Sequence, residues 1–141
     1  PYTTLFRSPN PIFVDDGLGH LFLDKGKVKG YGRKYFYFQL LYGDDSDCYR
    51  PFIRSKTVKK YGQIGVFKDL SSLNTDQACV KFVLSKYQHA YPEPFTFTDW
   101  QGILQTYTWQ DALQEILDCA YMRRFYGDLM SLERFIQNGG L

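Results

Sequence analysis

The stretch Arg33-Lys34-Tyr35-Phe36-Tyr37-Phe38-Gln39-Leu40-Leu41-Tyr42-Gly43 decides how the chain is read. Its aromatic density suits a strand. Its spacing suits a buried helix: Phe36 and Leu40 are four apart, as are Tyr37 and Leu41, and Gly43 supplies a stop. Taken as a helix, it makes the rest of the chain a mainly α domain with two small β-hairpins.

Upstream, residues 18–31 place an apolar run and an alternating run on either side of Asp24-Lys25-Gly26, the first hairpin signal. Downstream, residues 44–60 form a polar, basic loop, and 62–70 a short helix with glycine at its mouth. Asn74 with Gln77 three residues later predicts a capped helix reaching about Tyr91, with Ala78, Phe82, Val83 and Tyr87 inward. Pro92 and Pro94 stop it. Residues 95–107 alternate around Trp100-Gln101-Gly102, the second hairpin signal. Thr108 and Asp111 make another capping pattern. Behind them Trp109, Ala112, Leu113, Ile116, Leu117, Ala120 and Tyr121 give the clearest amphipathic stripe. That helix is expected to run to Gly127, with Asp128 capping a last helix to Gln137.

With 141 residues the chain is one domain's worth. A 23% charged fraction argues against wholesale disorder, and no apolar run approaches a bilayer span. Three cysteines, odd in number and widely spaced, exclude a disulfide scaffold and a zinc finger. These features point to an intracellular domain. The net charge of +2 conceals an asymmetry: residues 25–60 carry +7, the flanking segments −2 and −3. A basic stretch of this kind is the footprint expected for a phosphate backbone, although a solvated lysine surface has the same charge.

The chemistry-bearing segment is Leu41-Tyr42-Gly43-Asp44-Asp45-Ser46-Asp47. Asp44 and Asp47 are three apart, which on a helical turn puts both carboxylates on one side. Carboxylates in a water-accessible turn suit a hard cation, Mg²⁺ or Mn²⁺; an acidic helix end is the plainer alternative. Lys56, Lys59 and Lys60 follow, then Tyr61-Gly62-Gln63-Ile64-Gly65, where backbone N–H groups can meet a phosphate. Acidic turn, basic loop and glycine-mouthed helix, in that order, suit a metal-dependent enzyme acting on a phosphodiester.

This order resembles the helix–three-turn–helix region of the 5′–3′ exonuclease and flap endonuclease family, particularly the bacteriophage versions. The family's Gly-Asp-x-x-Asp-Asn element is matched by Gly43-Asp44-Asp45-Ser46-Asp47-Cys48, with Cys48 in place of Asn. The segment Tyr61-Gly62-x-x-Gly65-x-Phe67-Lys68-x-Leu70 corresponds to its second helix, and a looser similarity runs from Gly17 to Gly127. The resemblance implies that Asp44 and Asp47 help hold one of two Mg²⁺ (or Mn²⁺) ions. The remaining carboxylates would come from an α/β part upstream of Pro9. It implies backbone contacts to DNA at Gly62 and Gly65, K⁺ at the hairpin, and two-metal hydrolysis of DNA 5′ ends or flaps in phage replication or recombination. It also implies the host cytoplasm as location and a phage polymerase as a candidate partner. Ile64 and Val66 stand where the family's turn often has Lys or Ala, so no phosphate-binding lysine is carried over there.

The octapeptide Pro1-Tyr2-Thr3-Thr4-Leu5-Phe6-Arg7-Ser8 matches a translated sequencing-adapter oligonucleotide and is set aside from fold reasoning. Residues 9–141 are then expected to be the C-terminal helical part of a longer nuclease, inactive alone. Two rivals keep their place: a non-catalytic DNA-binding replication-accessory domain, and a phage structural or scaffold protein whose acidic turn is only a cap. His20, His89, Asp15-Asp16 and the cysteines lack partners at catalytic or ligand spacing, so they are expected to be structural. The aromatics at 35–38 are expected in the core, and Arg123-Arg124 at a helix end.

Overall fold

The computed structural model describes residues 17–58 and 61–141. These form five helices and two small antiparallel hairpins. Lys59 and Lys60 of the basic loop lie outside the described residues, as do residues 1–16.

Strands β1 (His20–Asp24) and β2 (Lys27–Tyr31) pair antiparallel, with Asp24 opposite Lys27. Lys25 and Gly26 both have positive φ, 54° and 79°, as a two-residue turn matching the strand twist requires. Helix α1 (Gly32–Tyr42) follows without a break. No side chain caps it. Its first free donors are instead taken by carbonyls of the incoming chain, Arg33 N–H to Gly17 O at 2.9 Å and Lys34 N–H to Leu18 O at 2.7 Å.

The helical reading of 33–42 holds, and burial explains why the sequence was ambiguous. Phe36, Tyr37, Phe38, Gln39, Leu40 and Leu41 are all buried, because α1 is the central element and other elements cover it on several sides. A helix wrapped this way carries no polar face to betray its period. Burying Leu40 and Leu41 contributes about 2 kcal/mol each.

Against α1 pack α2 (Gln63–Ser71), α3 (Asp76–Ala90) and α4 (Trp109–Ala120). Helix α2 buries Val66 and Leu70. The cap of α3 is Thr75, one residue later than Asn74: its side chain accepts from Ala78 N–H at 3.1 Å. This register puts Asp76 in the first turn, where it takes a two-pronged ion pair from Arg33 and a bond from Tyr37 Oη at 2.6 Å. The inner face is accordingly Cys79, Val80, Val83, Tyr87 and Ala90, while Ala78 and Phe82 are half-buried. Tyr87, fully buried, donates to Leu40 O at 2.6 Å and ties α3 to α1.

Strands β3 (Phe95–Thr98) and β4 (Leu104–Tyr107) make the second hairpin. Thr108 and Asp111 form the expected capping box at the start of α4, whose stripe Ala112, Leu113, Ile116, Leu117 and Ala120 is buried. The expectation that this helix runs to Gly127 fails: it ends at Ala120. Asp128 does not cap the last helix either. Helix α5 (Leu132–Asn138) is capped by Ser131, which accepts from Arg134 N–H. Asp128 is buried instead, holding Tyr121, Arg124 and Arg134 across the non-helical segment 121–130. Phe135 of α5 then reaches the core, edge-on to Phe36 at 6.3 Å. Among the described residues no helix is long and apolar enough to cross a membrane.

Candidate functional site

Helix α1 ends on Gly43, whose φ is 94° and whose N–H closes back on Gln39 O. A Cβ there would stand 2.1 Å from Tyr49 O, so the position demands glycine. The chain then turns back on itself, and Asp44 and Tyr49 form a bridge. Within this turn Asp44 Oδ1 accepts from Ser46 N–H at 2.8 Å and weakly from Asp47 N–H at 3.4 Å. The acidic segment is therefore a side-chain-braced loop and not another turn of helix.

Asp44 stands at the edge of an open cleft of about 530 Å³ between α1, β2 and the start of α2. Three segments distant in sequence meet there: Lys27 and Lys29 of β2, Asp44 to Ser46, and Gln63 at the mouth of α2. Gln63 also fixes the wall, its Oε1 accepting from Val28 N–H at 3.0 Å. The buried amide of Gln39 lies behind Asp44, with Nε2 donating to Asp44 Oδ2 at 3.3 Å. Gln39 Oε1 is buried and has no partner among the described residues.

The neighbouring charges are already engaged. Asp45 is ion-paired with Arg50, which lies 4.6 Å over the ring of Tyr42. That hydrogen bond from Arg50 is what lowers the pKa of Asp45. Burial, with the charge of Asp44 adding, raises the pKa of Tyr35 on the cleft wall, so Tyr35 stays a neutral donor. Lys29 bonds Asp24 at 3.3 Å across the hairpin, an exposed pair that another anion can displace.

The residues expected from the sequence do not all share this cleft. Asp44 lines it; Asp47 is exposed and does not. The charge of Asp47 is felt on the α4 side, where burial first, then Glu115, Asp118 and Asp47, raise the pKa of the Cys119 thiol. Lys56 is exposed on a turn held to the end of α3 by Ser55 Oγ to Ala90 O and Thr57 Oγ1 to His89 O, 3.0 and 3.1 Å. Gly62 is the N-cap of α2, open, with no side-chain cap on that helix. Gly65 lies one turn on, against the ring of Tyr61. Lys59 and Lys60 are outside the described residues.

Lys27, Lys29 and Gln39 escaped sequence reasoning. The signal for the lysines was present: the alternation Lys27-Val28-Lys29 puts both on one face of a strand while Val28 enters the core. Nothing in the sequence marked Gln39, a single polar residue in an apolar helix.

As a metal centre the turn is partial. Its donors are oxygens only, carboxylates beside an unpaired amide carbonyl, which fits a hard cation. Among the described residues no group of three or more His, Cys, Asp or Glu side chains is placed to hold an ion. Compared with protein-family models, curated proteins and solved structures, the chain matches none.

Proposed function

We propose that the chain is the DNA-binding, metal-contributing part of a Mg²⁺-dependent 5′–3′ exonuclease or flap endonuclease of the phage type, acting on DNA 5′ ends in the cytoplasm of a host cell. The observation that carries the reading is the cleft in which acidic turn, basic strand and the uncapped start of α2 converge. Lys27 and Lys29 would hold phosphate oxygens on one wall. The free N–H groups at Gly62 to Gly65 would take the next phosphate along the strand, with Lys56 a more distant contact. Asp44, braced by its own loop and by Gln39, would contribute to the metal site; Asp47, which does not line the cleft, belongs to that site by resemblance alone. Further carboxylates would have to come from outside the described residues. A bound Mg²⁺ would supply Lewis-acid stabilisation of the phosphodiester and a water of lowered pKa. K⁺ at the Gly62–Gly65 turn and a phage polymerase belong to the proposal by resemblance alone.

The second reading is a non-catalytic DNA-binding accessory domain, and the use of Asp44 Oδ1 to brace its own loop favours it. Both readings require duplex binding. The test is titration of a labelled 5′-overhang duplex at several salt concentrations, for wild type, Lys27→Ala/Lys29→Ala and Lys56→Ala. The log–log salt slope should shrink by about 0.9 for each phosphate that the variant no longer neutralises. A folded protein that binds no duplex at low salt sinks both readings and leaves the scaffold alternative. Broadening of the 43–47 backbone amide signals by Mn²⁺, abolished in Asp44→Ala, separates the nuclease reading from the accessory one.

A further inference from the structure

Between α4 and α5 the chain presents Met122-Arg123-Arg124-Phe125-Tyr126 to solvent. Phe125 is 64% exposed and Tyr126 fully so, beside Met122 and Leu129, also exposed. Two aromatic rings left in water forgo the burial that ordinarily stabilises such side chains. Yet this loop is not slack. The buried Asp128 carboxylate holds it from beneath, accepting from Arg124 N–H at 3.0 Å, Arg124 Nε at 3.1 Å and Tyr121 Oη at 2.7 Å. Arg134 Nη1 fastens the same carboxylate to α5 at 2.8 Å. The rings are thus displayed on a braced base, with Arg123 exposed beside them and Arg124 half-exposed. A smaller cleft of about 260 Å³ beside the loop is lined by Arg33, Arg124 and Arg134, each ion-paired to Asp76 or Asp128, together with Phe36, Met130 and Phe135.

We propose that this loop is a binding site for single-stranded nucleic acid, with bases stacking on Phe125 and Tyr126 and phosphates meeting Arg123 and Arg124. The occupant follows from the pairing of chemistries. A flat π face next to an exposed guanidinium matches a polymer that alternates π faces with anions. A purely apolar partner would have to desolvate Arg123 without a counter-charge. A duplex would offer phosphates but keep its bases stacked out of reach, so the rings select single strands. The site is separate from the acidic turn and does not depend on it. In a nuclease or an accessory protein alike it would hold a strand that has left the duplex.

The experiment is fluorescence anisotropy of two labelled 15-mers, oligothymidylate and an abasic strand of equal length. The proteins are wild type, Phe125→Ala/Tyr126→Ala and Arg123→Ala. Exposed positions leave the fold intact, checked by unchanged thermal melting. Wild type should bind oligothymidylate about tenfold or more tightly than the abasic strand. The aromatic double variant should bind both strands equally, and Arg123→Ala should weaken both while flattening the salt dependence. Equal wild-type affinity for the two strands, or a double variant that binds oligothymidylate as wild type does, overturns the proposal. So does loss of sedimentation with phosphatidylglycerol vesicles in the double variant while oligothymidylate binding stands, which would assign the loop to a lipid surface. Failure of the duplex titration with Lys27 and Lys29 variants leaves these outcomes unaffected, so the two sites fail separately.

Discussion

The dipeptide Gly-Asp occurs twice, at the C-cap of α1 (Gly43-Asp44) and seven residues past the end of α4 (Gly127-Asp128), and the two copies have opposite fates. Both glycines have positive φ, 94° and 84°. In the first, the carboxylate is satisfied by peptide N–H groups of its own loop and by Gln39, and it stays at the edge of an open cleft. In the second, it is buried under two arginines and a tyrosine. The dipeptide and the sign of its glycine φ are shared; the reach of the neighbouring side chains is not. Short donors fix a carboxylate without covering it, and long cationic side chains carry it inside. The first arrangement leaves lone pairs for a ligand, whereas the second spends them on the fold.

The largest effect expected follows directly. Asp128→Ala strips partners from Arg134, Arg124 and Tyr121 at once and should lower Tm by more than about 10 °C. Asp44→Ala loses two backbone bonds, one of them long, and the long bond from Gln39 Nε2 at a half-exposed site, about 1 kcal/mol together, and should lower Tm by only about 2–5 °C. Thermal melts followed by circular dichroism decide it. Equal losses would mean the first turn is as structural as the second, and the cleft would lose its claim to be a site.

The glycines should differ in the reverse sense. Gly43→Ala meets Tyr49 O at 2.1 Å as well as an unfavourable φ, and should cost more than about 3 kcal/mol. Gly127→Ala meets nothing within 4 Å, so only the φ penalty remains, about 1 kcal/mol. Urea unfolding with unchanged m-values is the measurement. The open turn is thus the one whose backbone is locked, which is what a preorganised ligand site needs and a plain helix stop does not.

Acid provides a third contrast. Burial would raise the pKa of Asp128, but the bonds from Arg134, Arg124 N–H, Tyr121 and Arg124 Nε outweigh it and hold it well below the usual carboxylate range. Its folded pKa is depressed, so its contribution is complete above the unfolded value, about 4, and is lost as pH falls below that. Asp76 adds in the same sense: burial opposes, and Arg33 and Tyr37 prevail. Wild type should therefore lose stability from about pH 4 downward, and Asp128→Asn, already weakened, should show a shallower acid limb in urea midpoints from about pH 6 to 2. A parallel limb in the variant would assign the acid sensitivity to other carboxylates.

These contrasts also show what the sequence made legible. Both hairpins, the capping box at Thr108 and the α4 stripe could be read because turn chemistry and amphipathic period are local signals. The one-residue displacement of the α3 cap could not, since Asn74 and Thr75 are both good caps and the choice was made by Arg33, 43 residues away. The end of α4 was misread for the same reason: a buried carboxylate served by Arg134 leaves no local trace at Gly127. At the candidate site the acidic turn was visible, but its partners were not. Lys27 and Lys29 reach the cleft only through the β2–α1 packing, and Asp47 lies outside it in a loop closed by Tyr49 where a helical turn was expected.

The smallest effect tests a third glycine against the other two. Gly62 caps α2 at φ −85° with nothing within 4 Å of an added Cβ. Alanine is a poorer cap than glycine but restricts the unfolded chain more, and the two terms nearly cancel, leaving stability within about 0.5 kcal/mol of wild type. A methyl group at the mouth of α2 would, however, stand between a phosphate and the free N–H groups. Gly62→Ala should then melt with wild type and bind the 5′-overhang duplex about two- to fivefold more weakly, the scale of one weakened hydrogen bond. A fold-neutral glycine that matters for binding would be the converse of Gly43, which the fold cannot do without. If duplex affinity is unchanged as well, the N–H groups at the start of α2 face no phosphate, and the DNA-facing surface reduces to the lysines of β2.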